Sequence, residues 1–91
     1  MARISVERTH SLGLEAAREK ARPLVEKLAS QYGLTPTWAG DTVKLKRSGV
    51  NGTLLISDNN VKVDVELGLL MSAMSGMIQS EIERSLDKAL S

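Results

Sequence analysis

The chain has 91 residues, of which 42% are hydrophobic and 25% charged, and its formal net charge at pH 7 is +1. This length and composition predict one small soluble globular domain spanning residues 1–91, and the near-neutral charge argues against a dedicated nucleic-acid binder. The absence of cysteine excludes disulfides, thiol catalysis and thiolate metal sites. The longest apolar run is far below the ~20 residues that span a bilayer. Residues 1–10 also lack the apolar core of a secretory signal, so we expect a cytoplasmic protein.

Residues 2–8 alternate between apolar and polar side chains, which predicts a half-buried strand with Ile4 and Val6 facing the core. The polar residues that follow are typical of a helix start. We expect Thr9 or Ser11 to be the N-cap of the first helix.

The apolar residues of segment 12–32 recur at helical spacing. Gly33 directly follows the segment and is the expected C-cap. Pro23 lies inside it, on the polar side, where it removes one backbone hydrogen bond. A continuous helix that bends at Pro23 is favoured over a break at Arg22. The predicted core stripe is Leu14, Ala17, Ala21, Leu24, Val25, Leu28 and Tyr32.

Turn signals divide segment 37–67 into four short strands. Pro36 confines the first of them to a sheet edge or a strand start. The last strand, residues 61–67, alternates most regularly. The expected turns are Gly40-Asp41, 48–52 and 58–60, and the expected inward residues are Val43, Leu45, Leu54, Ile56, Val61, Val63, Val65 and Leu67.

The resulting order is β-α-β-β-β-β-α, with hairpins joining the middle strands. This order predicts a two-layer α+β domain, in which an antiparallel sheet carries both helices on one face. The other face would be solvated and carry mixed charge.

The second helix is expected to begin in segment 67–78 and to continue to about Leu90, and its first half is apolar on two sides. One side carries Met71, Met74, Ile78, Ile82, Leu86 and Ala89, the spacing of a core stripe. A strip of small residues, Ser72, Gly76 and Ser80, would let another surface approach closely. The second apolar side consists of Leu69, Leu70, Ala73 and Met77.

Several short motifs occur along the chain in a specific order: Arg8-Thr-His10, Tyr32-Gly33, Trp38 before Gly40-Asp41, Gly49-Val-Asn-Gly52 and Leu67-Gly-Leu-Leu70. In this order and spacing the chain resembles a small bacterial family, the polyhydroxyalkanoic acid system proteins, over nearly its full length. The resemblance implies an association with storage-polyester synthesis or mobilisation, with the granule surface as one location. It implies no reaction and no catalytic residue.

The sequence favours a non-enzymatic binding or interaction protein. Its second apolar helix side (Leu69, Leu70, Ala73 and Met77) would contact a partner protein, a second copy of the chain or the apolar granule surface. The alternative is a small acyl or lipid carrier, which needs a pocket of hundreds of cubic ångströms between sheet and helices. That pocket would be lined by Leu28, Leu54, Met71 and Met74.

Other candidate residues have a structural and a functional interpretation. Trp38 either covers one end of the core or anchors a partner or ligand. Arg8 and His10 either end the first strand and cap the helix, or contact an anion there. A further group of four cations either belongs to a solvated face or forms a basic corner that binds nucleic acid or an acidic partner: Lys44, Lys46, Arg47 and Lys62. We expect no catalytic residue, metal ion or cofactor, because one histidine and scattered serines and carboxylates form no recognisable site.

Overall fold

A computed structural model describes residues 2–90 and contains one five-stranded sheet with helices packed against it. Every strand pair is antiparallel, and the strand order is β1-β5-β4-β3-β2. The α+β prediction is therefore confirmed. The elements are β1 Ala2–Thr9, α1 Leu14–Tyr32, β2 Thr35–Ala39, β3 Thr42–Arg47, β4 Val50–Ile56, β5 Asn60–Leu67, α2 Leu69–Ser72 and α3 Ser75–Leu90.

The core lies between one face of the sheet and the two long helices, because alternate strand residues point towards α1 and α3. All the strand residues predicted to face inward are buried, from Ile4 on β1 to Leu67 on β5. The helix α1 buries its predicted stripe, with Leu14 and Tyr32 partly exposed at its ends. Buried residues of α1 and α3 pack against the same sheet face, so both long helices share one face as predicted. The opposite face carries mainly charged and polar side chains.

The helix α1 begins later than expected, and its N-cap is Gly13 rather than Thr9 or Ser11. Gly13 has φ 84°, a conformation that glycine adopts readily, and no side chain caps the helix. The polar residues before it instead form a turn, in which Nδ1 of His10 accepts a hydrogen bond from the Leu12 amide at 3.1 Å. The helix then continues through Pro23 without a break, as predicted.

The turn between β3 and β4 is shorter than predicted and consists of Ser48 and Gly49. Gly49 has φ 84° and supplies the left-handed conformation that the turn requires. Gly52 was expected in the same turn, but it lies within β4 on the inner face, opposite Leu45 and Val65. The strand β2 begins at Thr35 and is an edge strand, as Pro36 predicted.

The C-terminal helix is not continuous, which corrects the prediction of one helix from about residue 67 to Leu90. The one-turn helix α2 ends at Ser72, and α3 begins at Ser75. Two hydrogen bonds here span three residues instead of four, as in a 3₁₀ turn. The Met71 amide donates to the Gly68 carbonyl at 3.1 Å, and the Met74 amide donates to the Met71 carbonyl at 3.0 Å. The break rotates Met74 out of the predicted core stripe, of which Ile78, Ile82 and Leu86 are buried.

Candidate functional site

Five apolar side chains lie exposed on α2, on the first turn of α3 and on the link between them. Leu70 is 95% exposed, Leu69 82%, Met77 63% and Met74 39%, and Ala73 is exposed as well. We call these five residues the apolar patch. Isolated exposed leucines are common on proteins, whereas these exposed residues all fall within the nine residues from Leu69 to Met77. Four of the five were predicted from the sequence, and α1 does not cover them.

Met74 is the patch residue that sequence reasoning missed. On an unbroken helix it would share a side with Ile78 and point into the core. The break between Ser72 and Ser75 places it at the surface instead. No periodicity in the sequence signals this break, because Ala73 and Met74 are both compatible with a helix.

The fold holds α2 against the β3–β4 turn. The Gly68 amide donates a hydrogen bond to the Gly49 carbonyl at 2.8 Å. A Cβ at Gly68 would lie 3.5 Å from that same carbonyl oxygen, so the two backbones pass close to each other. The hydroxyl of Ser72 donates to the Gly68 carbonyl at 2.9 Å and closes the helical turn. The base of the apolar patch is thereby fixed to the sheet, while Leu69 and Leu70 project outward.

Beneath α2, a small apolar cavity lies between the sheet and the ends of α1 and α3, with a volume of about 30 Å³. Its lining includes Leu28 and Met71, as the carrier hypothesis expected, but neither Leu54 nor Met74. The floor is formed in part by Gly52, which has no side chain to fill the space. A volume of this size does not hold an acyl chain, for which hundreds of cubic ångströms are needed.

Trp38 lies on β2, the sheet edge opposite β1, and is not part of the apolar patch. Its side chain is half-buried against the core, and the guanidinium carbon of Arg22 lies 5.4 Å from its ring centroid. This geometry is a cation–π contact between α1 and the edge strand. The structure therefore gives Trp38 a role in covering the end of the core.

Arg8 and His10 are both engaged within the protein. Nε of Arg8 donates to Asp87 of α3 at 2.8 Å, and a second guanidinium nitrogen lies 3.4 Å from Glu83. The hydrogen bond to Asp87 raises the pKa of Arg8. His10 lies 3.1 Å from the Ser57 carbonyl. These contacts tie β1 to α3 and to the β4–β5 turn, so the geometry supports the structural interpretation over an anion site.

The four residues of the predicted basic corner differ in their environments. Lys44 and Lys46 are exposed on the outer sheet face. Arg47 donates to the Tyr32 carbonyl at 2.8 Å, and Lys62 lies 3.9 Å from Asp64. Two of the four cations thus have partners within the chain, which fits a solvated face.

Glu81 on α3 is a carboxylate whose surroundings shift its pKa. Its Oε1 lies 3.1 Å from Nζ of Lys27, and this hydrogen bond lowers its pKa, with desolvation acting in the opposite direction. Across residues 2–90 no group of three or more histidine, cysteine, aspartate or glutamate side chains is placed to hold a metal ion. Over the same residues no helix has the length and apolar character needed to cross a membrane.

Comparison with solved structures finds a similar fold in the NMR structure of PA4090 from Pseudomonas aeruginosa. The TM-score is 0.59 at 12% sequence identity, and the match covers 97% of this chain and 83% of that chain. At this identity the similarity concerns the fold alone. A comparison with curated proteins finds no match. The family model described as polyhydroxyalkanoic acid system protein (PHA_gran_rgn) matches residues 4–90, and the chain therefore belongs to that family.

Proposed function

We propose that this protein is a non-enzymatic interaction protein of the polyhydroxyalkanoate system, which attaches to the apolar surface of the storage polyester in the cytoplasm. The observation that carries the proposal is the exposure of Leu69, Leu70 and Met77 on one short segment. The family links the chain to the polyester system, and the apolar patch supplies a physical means of contact with it.

The small area of the apolar patch favours attachment to a polyester surface over docking into the groove of a partner protein. Five side chains cover on the order of a few hundred Å², whereas a stable protein interface buries about 800 Å² on each partner. An apolar solid needs no matched pocket, because hydrophobic burial is not directional. Fully burying one leucine contributes roughly 1.5–3 kcal/mol, so insertion of Leu69 and Leu70 supplies about 3–6 kcal/mol before association entropy is subtracted.

The sequence around the patch is also free of charge. Residues 67–80 contain no ionisable side chain, and the first charges on either side are Glu66 and Glu81. Insertion of this segment into an apolar phase therefore requires no desolvation of a charged group, which is the most costly part of such a transfer.

The test is cosedimentation with protein-free polyhydroxyalkanoate particles. The variant carries Leu70→Gln and Met77→Gln, and its control carries Leu55→Gln, because Leu55 is 43% exposed on the outer sheet face, away from the patch. We expect the double variant to lose at least about tenfold in partition constant, equal to 1.4 kcal/mol, and the control to change by less than twofold. Both should unfold within about 0.5 kcal/mol of the parent, since the substituted residues are exposed.

Equal sedimentation of the double variant and the parent would overturn the proposal.

Salt separates the two physical origins of binding. Sulfate strengthens hydrophobic attachment, whereas added sodium chloride weakens attachment through charge. If the two substitutions instead lower the mass of the protein in solution, the patch is an interface between proteins.

A further inference from the structure

The strand β1 leaves one side unpaired in the described sheet, because it is the first strand in the order β1-β5-β4-β3-β2. It is eight residues long and contains no proline, whereas the opposite edge strand, β2, has five residues and contains Pro36. Short length and proline are two common protections of sheet edges. The edge of β1 has neither.

The hydrogen bonds at the end of β1 show which of its backbone groups face the free edge. The His10 amide donates to the Asn59 carbonyl at 2.9 Å, on the side of β5. Because backbone groups alternate in direction along a strand, Arg3, Ser5 and Glu7 direct theirs away from β5. The Glu7 carbonyl accepts a hydrogen bond at 3.0 Å from the side chain of Arg8. This bond agrees with a carbonyl that points away from β5.

The sequence of β1 is complementary to itself when read in the opposite direction. In an antiparallel register centred on Ser5, Arg3 lies opposite Glu7 of the second strand, and Glu7 lies opposite Arg3. All three residues are exposed on the outer sheet face. Opposite charges on directly paired residues stabilise a sheet, and like charges in those positions destabilise it. Arg3 lies 4.0 Å from Asp64 within its own chain, and at 69% exposure it can turn towards a partner.

We propose that β1 pairs with β1 of a second copy of this chain, antiparallel and centred on Ser5, so that two sheets join into one. The pairing forms about six hydrogen bonds between the backbone groups of Arg3, Ser5 and Glu7 in the two copies. The Glu7 carbonyl, which already accepts from Arg8, uses its second lone pair for the partner strand. It also forms two Arg3–Glu7 ion pairs across the two-fold axis. The apolar patch is not part of this interface, so the dimer is independent of polyester attachment.

The helix α3 leaves room for the second copy. Its side chains Glu83 and Asp87 contact Arg8, so this side of α3 faces β1. Ser80 and Gly76 lie on the same side, one and two turns before Glu83, and both are exposed. A Cβ at Gly76 would meet no atom within 4 Å. Small side chains at this level let α3 and its copy approach each other closely above the joined strands.

The charge arrangement allows a decisive test by light scattering. The parent should pass from 9.9 kDa to twice that mass as its concentration rises to about 1 mM. Arg3→Glu places two glutamates opposite each other, and Glu7→Arg places two arginines opposite each other. Each single variant should raise the dissociation constant at least about tenfold. An equimolar mixture of the two should recover the dimer, because every pair again joins opposite charges.

A second variant tests the backbone pairing. Ser5→Pro removes the amide that faces the free edge and leaves the ladder to β5 intact, and Ser5→Thr is its control because it keeps that amide. Dimerisation should be lost with proline and retained with threonine. If Ser5→Pro does not fold, the charge variants decide the question alone.

Three results would refute the proposed dimer. They are a parent that stays at 9.9 kDa up to about 1 mM, a mixture of single variants that remains monomeric, and a dimer that is lost in Leu70→Gln/Met77→Gln but kept in Arg3→Glu.

Discussion

Nζ of Lys27 on α1 lies 3.1 Å from Oε1 of Glu81 on α3 and donates to the hydroxyl of Ser85 at 3.0 Å. Arg84 lies 3.4 Å from the other carboxylate oxygen of Glu81. This cluster joins the two long helices at the edge of the core, where Ser85 is a buried polar residue. Because the cluster contains the ionisable carboxyl of Glu81, the contact between the two helices depends on pH.

Acid should weaken the protein partly through Glu81. Its pKa is lowered in the folded state from the usual 4.5, first by the hydrogen bond from Lys27. A lowered folded pKa means that the stabilisation is complete above the unfolded pKa and is lost as pH falls through the folded value. Lys27→Met should therefore raise the pKa of Glu81 in an NMR titration. It should also reduce the loss of unfolding free energy between pH 5 and pH 3, measured with urea.

Lys20→Met is the matched control for that experiment, since Lys20 is an exposed lysine two turns earlier on α1. It should leave the titration of Glu81 unchanged. An unaltered Glu81 titration in Lys27→Met would show that the contact with Lys27 is too weak in solution to matter.

Adding a methyl group at Gly52 should stabilise the protein. Its Cβ would lie 3.5 Å from Cβ of Leu45 and 3.7 Å from Cγ2 of Val65, at ordinary packing distance beside the small cavity. Alanine also has less conformational freedom than glycine in the unfolded chain. We expect Gly52→Ala to raise the unfolding free energy by about 0.5–1 kcal/mol in urea.

Gly49→Ala provides the contrast, because Gly49 has φ 84° in the β3–β4 turn. Alanine is strained in that conformation, so this variant should lose about 1 kcal/mol. Destabilisation by both substitutions would mean that the Leu45 carbonyl, which would lie 3.4 Å from a Cβ at Gly52, cannot move aside.

Pro23→Ala should also stabilise the protein. Pro23 lies inside α1 on the exposed side and cannot donate to the Glu19 carbonyl four residues earlier. Restoring that donor should add about 1–2 kcal/mol, because the gain in helix propensity exceeds the entropy that proline removes from the unfolded chain. Thermal unfolding measures the change. Glu26→Ala, an exposed position on the same helix, should shift stability by only a few tenths of a kcal/mol.

Helix and strand periods written in the sequence correctly predicted the layers of the fold and almost the whole core. Alternation in β5 placed Val61, Val63 and Val65 inward, and the 3.6-residue period in α1 placed Ala17, Leu24 and Leu28 inward. These predictions succeed because burial of one face is a local property of a regular element. For the same reason Leu69, Leu70, Ala73 and Met77 could be identified in advance as surplus to the core.

Other features depend on contacts between segments that are distant in sequence. Gly68, at the start of α2, binds Gly49 of the β3–β4 turn. The C-terminal helix is interrupted four residues later, after Ser72, and this interruption moves Met74 into the apolar patch. Gly52 lies inside β4 because its neighbours Leu45 and Val65 enclose it. The free edge of β1 follows from the strand order. Because β1 pairs with β5 on one side alone, the backbone groups of Arg3, Ser5 and Glu7 point to the unpaired edge. Local spacing carries no information about such contacts, because their energy comes from residues that the chain brings together only when it folds.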